Sequence, residues 1–152
     1  MRPFVVLMLI GFMSCGSAQP VEPVQAQARA QKAPLLDTLK ELVSIASGSR
    51  DLEGLERLAQ LTAGRLRALG GDVALIDSTD VYRMEDTPEK TGRMVRATFR
   101  GTGAKKIMLI AHMDTVYLPG ALAKQPFRID GDRAYGLGIS DDKQGIAVIL
   151  HT

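Results

Sequence analysis

The feature that most constrains the fold is an unbroken apolar run, Ile107-Met108-Leu109-Ile110-Ala111, entered from Lys105-Lys106 and left through His112-Met113-Asp114. Such a run marks a strand covered on both faces, as in a parallel or mixed sheet; a half-exposed strand alternates instead. A doubly covered strand needs layers on either side, and the rest of the chain offers them. Leu36, Leu39, Leu42 and Val43 fall at helical spacing from Ala33 onward, and Ser47-Gly48-Ser49 stops the pattern. A second helix is expected from about Asp51 to Leu69, with Leu52, Leu55, Leu58, Ala59, Leu66 and Leu69 on one face. Asp51 can cap its start and Gly70-Gly71 can end it. Val73-Ala74-Leu75-Ile76 reads as a short strand, the polar stretch 77–92 with Pro88 as a loop, and 94–100 as a half-exposed strand. Residues 127–135 read as a hairpin turning at Asp130-Gly131, and 143–152 as the opening of a buried helix. This order predicts an α/β domain, a mixed sheet flanked by helices, with no internal repeat.

The start of the chain has a different character. Met1-Arg2-Pro3 is short and cationic, residues 4–13 are apolar, and Ser14-Cys15-Gly16-Ser17-Ala18 is built of small residues. This is the layout of a secretory signal peptide over residues 1–18, with cleavage expected after Ala18. The run is too short to span a bilayer, which takes about 20 apolar residues, so no transmembrane span is expected once the signal is removed. Cys15, the only cysteine, lies either in the discarded leader or at a lipobox where it becomes a lipidated first residue. Both readings export the protein to the periplasm or the extracellular space. Residues 19–32, rich in Gln, Ala, Val and Pro, read as a linker to a folded unit over 33–152. With 19 Lys and Arg against 17 acidic residues, no Trp, and no basic run interleaved with aromatics, no nucleic-acid partner is expected.

Two clusters carry chemistry. In extended chain, residues i and i+2 point the same way, so His112 and Asp114 stand side by side at the carboxyl end of the apolar run. Ligands bind at that end in open α/β sheets. A carboxylate on one ring nitrogen fixes the tautomer and makes the other nitrogen a better metal donor. On this motif alone a surface histidine paired with an acid explains the pattern equally well. In Gly136-Leu137-Gly138-Ile139-Ser140-Asp141-Asp142-Lys143 the glycines allow a sharp turn before a helix. The adjacent acids are either helix caps favoured by the dipole or metal ligands. One carboxylate can bridge the ions of a two-metal site.

Taken together, HMDTV (residues 112–116) and GLGISDDKQG (136–145) closely resemble the zinc-dependent exopeptidase family that contains carboxypeptidase G, acetylornithine deacetylase and succinyl-diaminopimelate desuccinylase. The stretch from His112 to Thr152 looks closest to the carboxypeptidase G (glutamate carboxypeptidase) branch, and a weaker likeness reaches back to about Leu35. The resemblance implies that residues 33–152 are the N-terminal, incomplete part of a zinc-exopeptidase catalytic domain. It implies two zinc ions in the complete enzyme, with His112 and Asp141 as metal ligands and Asp114 in the catalytic machinery as the residue that orients His112. Asp141 would bridge both ions and precede a cis peptide to Asp142. It implies hydrolysis of a peptide or N-acyl amino acid by a zinc-held hydroxide, release of a C-terminal amino acid with glutamate favoured, and a homodimer for the complete enzyme. Gln144 departs from the glycine usual in the family, which places any positive φ there in doubt.

The Glu-Glu pair, further acidic ligand and late histidine of the family have no counterpart in this sequence. His151, the other histidine, lies in an apolar helical run. Residues 1–152 are therefore expected to be inactive alone, and the chain, ending at Thr152 inside that helix, to be the front of a longer one. Two alternatives stand beside this reading: a non-catalytic exported binding module of the same fold, and a serine hydrolase using Ser140, His112 and Asp114. The second lacks the Gly-x-Ser-x-Gly elbow.

Overall fold

In the computed structural model, residues 21–152 are described; the expected signal peptide and Cys15 lie outside them. Helix α1 (Glu22–Val43) begins well before Ala33, so the stretch read as a linker is helical from Glu22. Its Gln, Ala, Arg and Lys residues are good helix formers, which a reading based on apolar spacing alone passes over. Pro34 sits inside α1 on an exposed position. Thr38, Leu39, Leu42 and Val43 form the buried face of the last turns.

Helix α2 (Leu52–Ala68) starts and stops where its punctuation places it. The Asp51 carboxylate accepts from Gly54 N at 2.9 Å, satisfying one of the donors that a helix start leaves open. At the other end Gly70 adopts φ +88°, Gly70 N donates to Arg67 O, and Gly71 N donates to Leu66 O. That pair of bonds is a Schellman closure. Leu55, Leu58, Ala59, Ala63 and Leu66 are buried, while the terminal Leu52 and Leu69 are exposed.

Strands β1 (Asp72–Ile76) and β2 (Met94–Thr98) pair antiparallel, with Ala74 opposite Arg96. Val95 and Ala97 are half-buried and their neighbours exposed, the alternation expected of a sheet with one wet face. Helix α3 (Ala121–Lys124) is a single turn. Strands β3 (Arg128–Asp130) and β4 (Arg133–Tyr135) form the hairpin. Its two-residue turn is Gly131-Asp132, one residue later than expected. Gly131 takes φ +59° at the first turn position, where a II′ hairpin places glycine. A π-type turn over Ile139–Lys143 leads into α4 (Gln144–Leu150). The core gathers Leu39, Leu42 and Val43 of α1, Leu58 and Leu66 of α2, and Ile146, Ala147 and Leu150 of α4.

The expected doubly covered strand is the main correction. Residues 107–111 form no strand, and Ile107, Met108, Leu109 and Ile110 are exposed. The described sheets are two separate antiparallel pairs, not one mixed sheet. A strand exists only where a neighbour takes its backbone N–H and C=O groups, and no described segment pairs with 107–111. The coarser expectation holds: helices and small sheets in a mixed α/β arrangement. Among the described residues no helix is long and apolar enough to cross a membrane.

Leu58 is fully buried between the helices. Leu58→Ala should therefore lower the unfolding free energy by about 2–5 kcal/mol in urea denaturation. A cost below about 1 kcal/mol would mean that α2 is not packed as described.

Candidate metal centre

His112 and Asp114 leave the 107–111 segment together, and Asp141 arrives from the turn before α4. The structure brings all three into one cluster. His112 Nδ1 lies 3.1 Å from Asp114 Oδ1, and His112 Nε2 lies 2.8 Å from Asp141 Oδ1. Asp141 foremost, and then Asp114, hold the His112 imidazolium above its ordinary pKa, against the pull of desolvation. The cluster is open: the His112 and Asp114 side chains are about half exposed and Asp141 is 84% exposed.

The turn that delivers Asp141 is not a plain helix start. Asp141 and Asp142 have non-helical backbone angles, the peptide between them is cis, and α4 has no side-chain cap. The capping reading of the two acids is thus not what the structure shows; Asp141 faces His112 instead. Gly138 sets the turn's direction. It adopts φ +68°, and a Cβ there would come within 2.5 Å of Thr115 Cγ2, so only glycine lets the turn lie against the Met113–Thr115 stretch. Gln144 has ordinary helical angles (φ −64°, ψ −37°), so its side chain meets no backbone conflict.

Lys143 fixes the far end of the same turn. Its ammonium is almost fully buried and donates to Leu42 O at 3.1 Å and Ile45 O at 2.6 Å. Leu42 O belongs to the last turn of α1, where a cation opposes the helix dipole, and Ile45 O lies two residues beyond the helix end. Burial nevertheless pulls the Lys143 pKa down to about 8. Spacing gave no hint of this role, since a lysine beside two aspartates reads as a surface ion pair.

His151 is placed elsewhere. Its Nδ1 donates to Gln31 Oε1 and its Nε2 accepts from Thr38 Oγ1, both at 2.9 Å, in the tautomer those partners select. It pins α4 to α1 and takes no part in the cluster. Ser140 is exposed, and the His112 nitrogen it would need is taken by Asp141. A cavity of about 410 Å³ lies on the Ser49 side of Asp114, with Lys143 in its wall but neither His112 nor Asp141. It therefore lies behind the metal-facing atoms.

Residues 108–152, which contain the whole cluster, match the peptidase family M20/M25/M40. The chain is also 41% identical over 136 residues to carboxypeptidase G2 from Pseudomonas sp. (strain RS-16), covering 89% of this chain and 31% of that protein. The chain belongs to the M20 peptidase family. Beta-Ala-Xaa dipeptidase from Lactobacillus delbrueckii subsp. lactis is 32% identical over 119 residues, covering 76% of this chain and 24% of that protein. The chain thus spans less than a third of the length of either relative. M20 peptidases are typically zinc-dependent, and the donors here fit zinc in kind, one imidazole nitrogen and one carboxylate oxygen. They also converge, and the remaining ring nitrogen is backed by Asp114, as metal-bound histidines usually are. They are incomplete in number. Zinc takes about four donors, and among the described residues no group of three or more His, Cys, Asp or Glu side chains is arranged to hold a metal.

The buried ammonium yields a test with a sign. Between about pH 8 and the ordinary lysine value of 10.5, the unfolded chain binds a proton that the folded chain has released. The cost of burying the charge is complete below pH 8 and fades as the pH rises through that window. Lys143→Met should destabilise the protein by about 1–3 kcal/mol at pH 7, because two carbonyls lose their donor. The gap between wild type and variant should widen from pH 8 to 10 in urea denaturation. A gap that stays constant over that window would mean that the ammonium keeps its ordinary pKa.

Proposed function

We propose that this chain supplies the leading zinc donors of an exported M20 metallo-exopeptidase that cleaves the amide bond of a peptide or N-acyl amino acid and releases the C-terminal residue, with glutamate favoured. The observation that carries the reading is the convergence of His112 Nε2 and Asp141 Oδ1 at 2.8 Å, with the other ring nitrogen held by Asp114. The Asp114 carboxylate, together with the Asp114 backbone carbonyl at the same 3.1 Å, keeps the Nδ1 proton in place and leaves Nε2 as the donor. The Asp141 carboxylate has a second oxygen and the exposure to meet a second ion. Zinc at such a site supplies Lewis acidity toward a carbonyl oxygen and lowers the pKa of water. The preference for glutamate rests on the resemblance of residues 112–152 to the carboxypeptidase G (glutamate carboxypeptidase) branch. The dipeptidase relative supports peptide C–N bonds as the class cleaved. Homodimerisation of the complete enzyme is part of the same proposal. Two zinc ions require more donors than the described cluster holds, so residues 1–152 alone should be catalytically silent.

Equilibrium competition with a chromophoric chelator should show weak zinc binding by residues 1–152, reduced roughly tenfold or more by His112→Ala. Hydrolysis of N-acyl-glutamates with added zinc should remain at the uncatalysed rate. Robust turnover by residues 1–152 would sink the donor-count argument, and unchanged zinc affinity in His112→Ala would sink the assignment of the site.

Export is tested separately. Expressed with its leader in a bacterium, the chain should leave the cytoplasm and begin at Gln19 by intact mass. A diacylglycerol adduct on Cys15 would select the lipid-anchored alternative, and an uncleaved cytoplasmic chain would overturn export.

A further inference from the structure

Asp114 has two carboxylate oxygens, and only one faces the metal-facing histidine. Oδ1 faces the His112 ring, while Oδ2 accepts from Ser49 Oγ at 2.7 Å. We propose that Ser49 is a positioning residue for the metal-facing histidine: its hydroxyl fixes the Asp114 carboxylate and, through it, the ring of His112. This rests on the zinc-site reading of His112. The torsion that turns a carboxylate about its Cβ–Cγ bond is broad, so a single hydrogen bond to an imidazole does not hold it in one plane. A second bond to the other oxygen does.

The position of Ser49 is itself imposed. Ser49 N donates to Thr115 O at 2.9 Å and Thr115 N donates to Ser47 O at 2.8 Å, which makes a parallel bridge between Gly48 and Thr115. Ser47 Oγ donates to Met113 O at 2.9 Å. The 47–49 segment is thus bonded to the residues on both sides of Asp114. Ser47 and Thr115 are buried, so these backbone bonds are shielded from water. The approach needs glycine at 48, where a Cβ would stand 2.4 Å from Tyr117 O. The Ser49 hydroxyl also lies 3.2 Å from Thr115 O. It has one proton, and the shorter, charge-assisted contact to Asp114 takes it. Ser49 and Asp114 both line the 410 Å³ cavity and a second cavity of about 250 Å³. Water can therefore reach a carboxylate that loses its hydroxyl partner, leaving it solvated but no longer aimed.

The test uses the 152-residue protein and the variants Ser49→Ala, Ser49→Thr, Asp114→Ala and Ser49→Ala/Asp114→Ala. Zinc affinity is measured by chelator competition, imidazole nitrogen shifts by NMR without zinc, and the thermal midpoint as a control. His112 signals are assigned by their loss in His112→Ala. Ser49→Ala should weaken zinc binding about 5- to 10-fold, the low end of what loss of an outer partner costs. It should also move the His112 nitrogens toward a mixture of tautomers. Ser49→Thr should stay within about 3-fold of wild type. In the Asp114→Ala background, Ser49→Ala should change affinity by less than about 2-fold, because Ser49 acts only through Asp114. An equal loss in both backgrounds, or His112 nitrogen shifts unmoved in Ser49→Ala, overturns the proposal. Zinc affinity unaffected by His112→Ala refutes the zinc reading instead, and the nitrogen shifts then still decide whether Ser49 positions the ring.

Discussion

The carboxyl end of α1 is the constraint on which the candidate site depends, and the Lys143 ammonium is the bond that establishes it. By donating to Leu42 O and Ile45 O, Lys143 ties the turn bearing Asp141 to the last turn of α1. A few residues later the same strand of chain, 47–49, bridges to Met113–Thr115. One short segment therefore grips both halves of the cluster, Asp141 on one side and His112 with Asp114 on the other. The halves are far apart in sequence, and neither lies on a shared sheet or helix that would hold them in register. Packing sets the layers here, and polar contacts set the site.

Burying a lysine to achieve this is costly. An uncharged residue of the same length would avoid desolvation, but it could not offer donors to two carbonyls at a helix end. Desolvation is what lowers the Lys143 pKa. The arrangement is tolerable because one acceptor, Leu42 O, lies at the negative end of α1, so the ammonium meets negative potential as well as oxygen atoms. A surface ion pair, such as Arg128 with Asp130, involves no such tension and fixes correspondingly little.

Much of this was legible in the sequence where the signal is local. Asp51 and Gly70-Gly71 bound α2 because capping acts within a few residues, and the alternation in β2 follows from one wet face. His112, Asp114 and Asp141 were legible as a group from two short motifs with their flanking glycines. What was not legible depends on distant partners. The apolar run 107–111 has strand composition, but strand formation requires a neighbour that composition does not name. Lys143 and Ser49 carry no motif of their own: the first needs the end of α1, the second needs the bridge to Thr115. Residues 22–32 were missed for a different reason. Their helix is supported by propensity, and an apolar-spacing criterion is blind to it.

The geometry of the His112–Asp141 contact also limits how the pair can be read. A proton between Nε2 and Oδ1 satisfies both atoms, and the raised pKa of His112 shows that the two aspartates favour it. That interaction stabilises the fold fully below the ordinary histidine range and is lost as the pH rises through the folded value. A metal cation needs the same nitrogen deprotonated, so its binding has the opposite dependence and releases the proton. The two occupants exclude each other at one point in space. The Ser49–Asp114 contact stands outside this competition, because it acts at Nδ1, which stays protonated in either case. A device that orients the ring from that side works equally for the proton-bridged and cation-bound pair, so the donor atom is already aimed when the proton leaves.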